Sequence, residues 1–440
     1  MKILAKLLSV SLVFLLLSNY GIGVTTSLDD DTTGSDYSSL LNNARIENKD
    51  GITLLYIGGS HYEMGYQHGF LLKDQIEENM RAYMAFAEGL TTYETLLDMW
   101  NESVSFIPEC YIQEMQGIAD GTNISFNRIA ALYMLIPFID MKCFTFAAWS
   151  NATIDGKLYH IRSLDFPLLI KDPLTGTYLQ DNSVLIIRNP ENGYKSINPS
   201  IAGSINFYQG INERNISIGL QVCWSDDQTL EGSPIKFNIL KVLDTAETVD
   251  EAIDILTTNS TLGWNFIVSD GDTNEAYVVE VTANNTYVGM DSDPVESIAP
   301  FWSIEHVVRR TNFFIEPTLA STQRSFYDPT GVTGLVGLFT GEPFFPLWRK
   351  YRSMSLEIEK HWGELDLELG MSLLRKVYTG KTDVVMFVFL SLGKNSILTD
   401  FQQWGVCTET GDFVVSFAEK RMYAHENTVH YFNMNELLNR

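Results

Sequence analysis

The chain has 440 residues, of which 45% are hydrophobic and 12% aromatic, and its formal net charge is −25. This length and apolar content are sufficient for a large buried core. The negative charge argues against binding to nucleic acid or to anionic membrane surfaces, because both repel an acidic protein.

The first 26 residues have the pattern of a secretion signal. Lys2 and Lys6 precede an apolar run over residues 7–17, and small residues follow. The run is shorter than the roughly 20 residues that span a membrane. We therefore predict an exported protein with a signal peptide over residues 1–26 and a flexible acidic leader over residues 27–51. The alternative is an uncleaved N-terminal anchor, which alone would bring the protein to a membrane.

Sequons for N-glycosylation support export, because glycosylated asparagines occur on the surfaces of exported proteins. Six are present, at Asn101, Asn123, Asn151, Asn215, Asn259 and Asn284. Asn151 lies inside the hairpin described below, so a glycan there would have to point outward.

The cysteines and histidines predict neither a disulfide framework nor a metal site. The four cysteines are Cys110, Cys143, Cys223 and Cys407. Their wide spacing leaves open one bridge among the three other than Cys143. The seven histidines are scattered without a ligand-like cluster, so we expect no metal and no other cofactor.

The N-terminal third is mainly helical by pattern. Residues 52–60 predict a strand that ends in a Gly-Gly turn, and residues 61–90 predict a helix. Leu72, Ile76, Met80 and Met84 recur every four residues and form one apolar face. Residues 92–138 predict further helices, which lead directly into Cys143.

The stretch CFTFAAWSNATIDGKLYHIRSLDF, residues 143–166, predicts a β-hairpin. Two runs, 143–150 and 157–164, flank Asp155-Gly156, a dipeptide suited to the positive φ angles of a tight turn. Pairing of the strands would bring Arg162 and Asp165 near the Cys143 thiol. A guanidinium favours the thiolate, so the pattern indicates an activated nucleophile. A buried cysteine in an ordinary hairpin is the alternative.

The remainder of the chain alternates between strand and helix patterns. The loop-rich residues 300–346 carry many aromatics, which would form either a wall for an acyl group or core filling. The predicted strands cover 183–188, 196–206, 217–224, two within 262–282, 384–392 and 413–418. The predicted helices cover 233–258, with a capping box at Thr248–Glu251, then 347–365, 366–378 and a short closing helix at 431–438.

Three of these motifs, taken in order, resemble the acyl-coenzyme A:6-aminopenicillanic acid acyltransferase family of N-terminal nucleophile (Ntn) hydrolases, related to choloylglycine hydrolases and acid ceramidase. They are the phrase GSHYEMGYQHG at 59–69, the Cys143 hairpin, and the WNFIVSD…AYVVE segment at 264–280. His160 and Ser163 depart from the usual Gly and Asn of the family. The resemblance covers about residues 52–435. It implies an α+β fold, the four-layer α-β-β-α sandwich of two antiparallel sheets flanked by helices.

The resemblance also implies self-cleavage between Lys142 and Cys143. The products would be a helical small chain, residues 52–142, and a large chain, residues 143–440, within one folded unit. Cys143 would be the nucleophile, and its new α-amino group, with an ordinary pKa of about 7.7–8.0, would be the base. Arg162 would favour the thiolate, and Asp165 would hold the α-ammonium group.

Further site residues follow from the same resemblance. Asn265 would donate to the oxyanion, assisted by backbone N–H groups near Gln209 and Gly210. The family's S-x-x-RY helix would supply an arginine, with Arg349 the first choice and Arg352 the second. The tyrosine is displaced by one position relative to that pattern, which leaves the register open between them. For Asn265 the alternative is an asparagine that satisfies backbone groups at a strand start. For Gln209 and Gly210 it is a plain hairpin turn.

We therefore expect a secreted, self-processing cysteine Ntn hydrolase that cleaves or transfers the acyl group of a non-peptide amide through a thioester on Cys143. Its partner would be a small-molecule acyl amide, with neither nucleic acid nor metal. One alternative is an amidase of N-acyl lipids or bile-acid conjugates. The other is a catalytically silent secreted glycoprotein that uses the same fold for binding.

Overall fold

The structure, a computed structural model, describes residues 37–42, 44–139, 141–324, 346–382 and 398–440. The chain divides into residues 1–39, of which 37–39 begin a 3-10 turn, and residues 40–440, which contain all elements below. The predicted signal peptide, the strand predicted at 384–392 and the aromatic residues of 325–345 lie outside the described residues. No helix within the described part is long and apolar enough to cross a membrane.

Fifteen strands are present in the described residues. They are β1 (Arg45–Lys49), β2 (Ile52–Gly59), β3 (Lys142–Ser150), β4 (Gly156–Pro167), β5 (Ser183–Pro190), β6 (Ser196–Ile201), β7 (Gln209–Asn212), β8 (Ile216–Val222), β9 (Trp264–Asp270), β10 (Glu275–Val281), β11 (Thr286–Gly289), β12 (Val307–Arg310), β13 (Leu398–Cys407), β14 (Asp412–Phe417) and β15 (His430–Asn433). Nine form a sheet in the order β1-β2-β5-β6-β7-β8-β9-β10-β11, and six form a second sheet in the order β12-β3-β4-β13-β14-β15.

Eleven α-helices accompany the strands in the same residues. They are α1 (His61–Leu71), α2 (Lys73–Ala87), α3 (Tyr93–Ser103), α4 (Glu109–Thr122), α5 (Phe126–Tyr133), α6 (Ile235–Thr245), α7 (Val249–Thr257), α8 (Pro317–Ala320), α9 (Pro346–Lys360), α10 (Leu367–Tyr378) and α11 (Met434–Leu438). The long helix predicted from residue 61 is thus two helices, α1 and α2, which meet at Leu72.

The two sheets pack face to face and are covered by helices on their outer sides. Strands β3 and β8 contact each other across the sheets, and every residue of β8 and β9 is buried. Helices α1, α6 and α7 contact the nine-stranded sheet, whereas α10 contacts β4 and β13 of the six-stranded sheet. A strand buried on both faces needs cover on both sides. The predicted α+β class, with two sheets between helical layers, is confirmed.

One strand pair corrects the prediction of two antiparallel sheets. β2 and β5 run parallel, with Leu54 opposite Leu185, whereas the other pairs in both sheets are antiparallel. Parallel neighbours require a long crossover connection. Here the crossover consists of helices α1–α5 and the β3–β4 hairpin, and β1 and β2 of the N-terminal segment form one edge of the nine-stranded sheet.

The flexible leader was predicted to extend through residue 51, but this end point is too far along the chain, because Arg45–Lys49 already form β1. Asp50 and Gly51 connect β1 to β2 with φ angles of 55° and 90°. Two positive φ angles define the tight turn that an Asp-Gly pair favours. This Asp-Gly pair is the sequence signal that would have revealed the hairpin.

Helices α1 and α4 cross at backbone contact because each has two glycines one turn apart. A Cβ atom on Gly65 would lie 1.9 Å from Glu114 O, and one on Gly117 would lie 2.2 Å from Tyr62 O. Gly69 and Gly121 repeat the contact one turn further along both helices, so the helices run in the same direction. The two glycines of the GSHYEMGYQHG phrase that lie within α1, Gly65 and Gly69, therefore serve helix packing.

Candidate active site

The β3–β4 hairpin places Cys143 at the interface of the two sheets. Cys143 lies opposite Leu164, and Thr145 lies opposite Arg162. Directly opposed residues of antiparallel strands share a face. Thr145 hydrogen-bonds Gln221 of β8, so this face is the one turned towards the nine-stranded sheet.

The turn of this hairpin is longer than predicted. Strand β3 ends at Ser150 and β4 begins at Gly156, so residues 151–155 form a five-residue loop. Gly156 has φ +80°, and it closes the loop where a two-residue Asp155-Gly156 turn was expected. The turn differs from the prediction, but the pairing of β3 with β4 continues from this loop to Lys142. The register therefore still brings Arg162 to Cys143.

Arg162 is fixed beside the Cys143 thiol. Its Nη2 atom lies 3.7 Å from Cys143 Sγ. Its Nε and Nη2 atoms donate to Leu220 O at 3.1 and 2.8 Å, and its Nη1 atom donates to Gln209 Oε1 at 2.7 Å. The guanidinium is completely buried. Since several bonds hold it in one position, it presents a preorganised positive charge to the sulfur atom.

Burial and charge act in opposite directions on the Cys143 thiol. Burial raises its pKa above the ordinary value, whereas the Arg162 guanidinium, the Lys350 ammonium and the backbone N–H of Asp165 oppose that rise. The net direction is upward. In the intact chain the sulfur is therefore protonated at neutral pH, and it needs a proton acceptor to attack a carbonyl.

Asn312 and Thr311 hold the backbone of Cys143, and neither was predicted. Cys143 N donates to Asn312 Oδ1 at 2.6 Å, and Thr311 Oγ1 donates to Cys143 O at 2.7 Å. Asn312 is itself oriented by donating to Val222 O at 2.8 Å. Both residues follow β12 in the aromatic-rich region, where no motif marks them.

Asp165 lies on the opposite face of the hairpin from the Cys143 side chain, because it pairs with Lys142. Its carboxylate accepts hydrogen bonds from Lys350 Nζ and Tyr378 Oη, each at 2.7 Å. Lys350 also donates to the Tyr378 hydroxyl. The predicted contact of Asp165 with the Cys143 nitrogen is thus replaced by Asn312, and Asp165 belongs to a neighbouring ionic cluster with Lys350 and Tyr378.

The helix predicted to supply an arginine supplies a lysine instead. Lys350 of α9 is buried against Asp165, whereas Arg349 and Arg352 on either side of it are half-buried. Successive helical residues point about 100° apart, so a shift of one position selects a different cation. The displaced tyrosine in RKYR was the signal of this shift.

Asn265 has a structural role in this conformation. Its Nδ2 group donates to Thr311 O at 2.9 Å and to Phe313 O at 2.8 Å. Both amide hydrogens are therefore occupied, which corrects the predicted donation to an oxyanion and agrees with the alternative of an asparagine that satisfies backbone groups. Through these bonds Asn265 fixes the segment that carries Asn312.

Gln209 contacts the site through its side chain, which binds Arg162. The backbones of Gln209 and Gly210 pair with Gly219 and Ile218 of β8. The preceding residue, Tyr208, is buried with φ 73°, a conformation that is costly for a tyrosine. The predicted role of Gln209 and Gly210 at the oxyanion stays a prediction.

The remaining predictions concern the cysteine bridges, the glycosylation sequons and a metal site. All four cysteines are free, so none of the bridges left open is formed in this structure. The sequon asparagines are exposed except for Asn215, which is half-buried and donates to Asp272. Among the residues that the structure describes, no group of three His, Cys, Asp or Glu side chains could hold a metal ion.

A buried cysteine near the start of a central strand, with a fixed guanidinium beside its sulfur, is the candidate active site of this two-sheet α+β fold. A family model described as "Acyl-coenzyme A:6-aminopenicillanic acid acyl-transferase" matches residues 172–330. The predicted resemblance to this family is thereby confirmed over that segment, which does not include the Cys143 hairpin.

Curated relatives are similar to this chain at low identity. Protein dcd1B of Dictyostelium discoideum is 24% identical over 311 residues, which cover 63% of this chain and 61% of that protein. Protein dcd1A of the same organism is 25% identical over 324 residues, covering 65% of this chain and 72% of its own length. An uncharacterized Archaeoglobus fulgidus protein is 22% identical, covering 74% of this chain and 58% of that protein. The match thus spans less than two thirds of dcd1B and of the archaeal protein.

Solved structures with weak similarity include three from hydrolases. The Caenorhabditis elegans N-acylethanolamine-hydrolyzing acid amidase ortholog has 16% identity and a TM-score of 0.38, covering 61% of this chain and 93% of that chain. Penicillin V acylase from Agrobacterium tumefaciens has 13% identity and a TM-score of 0.39, with coverages of 67% and 87%. Conjugated bile acid hydrolase from Clostridium perfringens, solved as a mutant, has 15% identity and a TM-score of 0.34, with coverages of 67% and 94%.

Proposed function

We propose that this protein is an exported, self-processing cysteine amidase or acyltransferase that acts on small-molecule acyl amides. The observation that carries the proposal is the setting of Cys143, whose sulfur lies 3.7 Å from Arg162 Nη2 while its backbone nitrogen is bound by Asn312 Oδ1. The family match over residues 172–330 supports acyl transfer as the reaction class. The exposed sequon asparagines are compatible with export.

The proposed maturation is an acyl shift followed by hydrolysis. Cys143 Sγ forms a bond to the Lys142 carbonyl carbon, the C–N bond to Cys143 breaks, and the thiol proton ends on the released amine. Water then cleaves the thioester and leaves a carboxylate on Lys142. Arg162 stabilises the negative charge on sulfur during attack, and Asn312 holds the nitrogen that leaves.

The proposed turnover uses the new α-amino group as the base. This amine takes the thiol proton, Sγ attacks the substrate amide, and the amine half of the substrate leaves with that proton. The acyl group then passes from sulfur to water or to an acceptor amine. Asn312 Oδ1 would accept a hydrogen bond from the α-amino group, as it does from the peptide N–H, and would orient that base.

Intact-mass measurement with N-terminal sequencing of the purified protein tests the proposal. We expect two chains from the wild type, the larger beginning at Cys143, and one uncut chain from Cys143→Ala. Cys407→Ala removes another buried thiol and should be cut like the wild type. A wild-type chain that stays uncut and hydrolyses no acyl amide would contradict the proposal and favour the binding glycoprotein. Cleavage at this bond in Cys143→Ala would also exclude it.

A further inference from the structure

A lysine ammonium group is buried among aromatic rings near the active site. Lys236, the second residue of α6, is only 8% exposed. Its Nζ atom lies 5.0 Å from the ring centroids of Tyr133 and Tyr208 and 5.3 Å from that of Phe207. It donates one hydrogen bond, to Ser204 Oγ at 3.0 Å.

No carboxylate neutralises this ammonium group within the described parts of the chain. Three other buried cations each have a carboxylate partner: Arg188 pairs with Glu114, Arg310 with Glu280 and Lys350 with Asp165. Lys236 has no such ion pair, and burial lowers its pKa to about 7. An uncompensated buried charge costs several kcal/mol, and its place at a helix N-terminus adds repulsion from the helix dipole. The aromatic rings and the Ser204 hydrogen bond offset part of this cost, but no ion pair in the described residues offsets the rest.

A mainly apolar cavity adjoins this ammonium group, and two of its lining residues are neighbours in sequence of residues at the active site. Met80, Tyr83 and Ile136 line it together with Lys236, Phe166 and Tyr208. Phe166 follows Asp165, and Tyr208 precedes Gln209, whose side chain binds Arg162. Tyr208 lies close enough to Cys143 and Arg162 for their charges to act on its hydroxyl group, so the cavity and the Cys143 site are neighbours in the fold.

We propose that Lys236 binds a carboxylate of the substrate while the apolar cavity holds its hydrocarbon part. One ammonium group without an ion pair matches one negative charge, and the wall beside it is mainly apolar, with Asn79 and Ser204 as polar members. The substrate class is therefore an anionic N-acyl amide, in which the carboxylate replaces the missing counter-ion of Lys236. This inference rests on the proposed function for its chemistry, but its binding step can be measured without turnover.

Two matched probes test the assignment. N-octanoylglycine carries a carboxylate where N-octanoylethanolamine carries a hydroxymethyl group. Calorimetric titration of the Cys143→Ala protein at about pH 6.5 should give at least tenfold tighter binding of N-octanoylglycine. Adding Lys236→Met should weaken the binding of N-octanoylglycine about tenfold to a hundredfold, as expected when a buried charge-assisted hydrogen bond is lost. The affinity for N-octanoylethanolamine should stay within about twofold of its value in the parent protein. Lys241 is an exposed lysine of the same helix, and Lys241→Met should change the affinity for neither probe.

A pH series separates recognition of the charge from a structural role. Between about pH 6.5 and 8.5 the free ammonium deprotonates, so binding of N-octanoylglycine should weaken about tenfold or more. The titratable groups facing Nζ are the hydroxyls of Tyr133 and Tyr208, and burial raises both of their pKa values. They therefore stay neutral over this range. The Lys236→Met protein should show no such dependence.

Equal affinity for the two probes, or equal weakening of both by Lys236→Met, would overturn the assignment. Absence of measurable binding of N-octanoylglycine would do the same. Because Lys236→Met removes an unpaired buried charge, its melting temperature should not fall below that of its parent, which controls for folding. Failure of self-cleavage in the wild type would instead count against the proposed function, since these titrations use a protein that cannot cut itself.

Discussion

At the scale of residues, the β3–β4 hairpin separates two charged groups that the sequence places close together. Arg162 lies on the inner face with the Cys143 thiol, and Asp165 lies on the outer face with Lys350 and Tyr378. The thiol thus has one fixed cation beside it. The Asp165 carboxylate is neutralised by a different cation, so the two pairs can be altered separately.

Lys350→Met should impair the protein far more than Lys360→Met, which changes an exposed lysine of the same helix. Removing one partner of a buried ion pair leaves the other charge uncompensated, at a cost of about 3–5 kcal/mol. We expect a clearly lower midpoint of chemical unfolding and slower self-cleavage for Lys350→Met, because the Asp165 end of the hairpin loosens beside Lys142. Lys360→Met, the same substitution at an exposed position of α9, is the control. Equal effects of the two changes would refute the role given to Lys350.

The site could be predicted where it depends on local pairing. Arg162 follows from the register of a hairpin and lies 19 residues from Cys143. Asn312 and Lys350 lie 169 and 185 residues from their partners. Their positions depend on how the aromatic region and α9 pack against the sheet, and a single sequence carries no local pattern for that contact.

At the scale of elements, backbone contact between α1 and α4 depends on glycine. The two helices approach so closely that a Cβ atom on Gly117 would meet Tyr62 O and Tyr66 N directly. A side chain at this crossing would collide with main-chain atoms, which cannot rotate away as a flexible side chain can. The spacing of these helices is therefore set by the four glycines.

Gly117→Ala should destabilise the protein by about 2 kcal/mol or more. Alanine gains about 1 kcal/mol in helix propensity over glycine, but a Cβ atom 2.2 Å from Tyr62 O forces the helices apart, and the overpacking outweighs that gain. The melting temperature checks this. Gly89→Ala, at an exposed site whose nearest contact would be 3.4 Å, should stay near the wild type. A Gly117→Ala protein as stable as the wild type would contradict the packing argument.

Elements with strong periodicity or capping signals were predictable. Helices α6 and α7 and strands β9 and β10 lie where apolar patterns and the Thr248 capping box placed them. Strand β13 was missed, because its FQQWGVC sequence mixes buried glutamines with aromatic residues. The two glutamines are buried because the layers pack over them. A pattern of alternating hydrophobic residues in the sequence does not reveal burial of this kind.

At the scale of the whole molecule, an ion cluster joins the N-terminal segment to the rest of the fold. Glu114 of α4 accepts from Arg188 of β5 at 2.9 Å and from His61 of α1 at 2.7 Å. Burial alone would raise the pKa of Glu114, but Arg188 and His61 outweigh burial and lower it to about 2. Burial alone would lower the pKa of His61, but hydrogen bonds with Cys110 and Glu114 raise it to about 10.

The cluster should make stability fall at alkaline pH in a manner that depends on His61. Because folding raises the pKa of His61, the charged imidazole stabilises the protein fully below pH 6.5, the ordinary pKa of histidine. This stabilisation is lost as the pH rises from 6.5 to about 10. For Glu114 the contribution is lost as pH falls from 4.5 to about 2. Urea unfolding at about pH 6, 8 and 9.5 should therefore show that the free energy of unfolding of the wild type falls by a few kcal/mol over this range. The His61→Gln protein should lack this fall. Parallel curves for the two proteins would exclude this account.

The parallel pairing of β2 with β5 bears on how the molecule could refold. Cleavage after Lys142 would leave β1 and β2 in one polypeptide and the other seven strands of that sheet in another, with Leu54 and Leu55 fully buried between them. Assembly of the intact precursor is unimolecular and independent of concentration. Once cut, the same structure would be a two-chain complex whose recovery from denaturant requires a bimolecular encounter. The precursor alone would then fold at any dilution, and the mature enzyme would keep its structure by unfolding slowly.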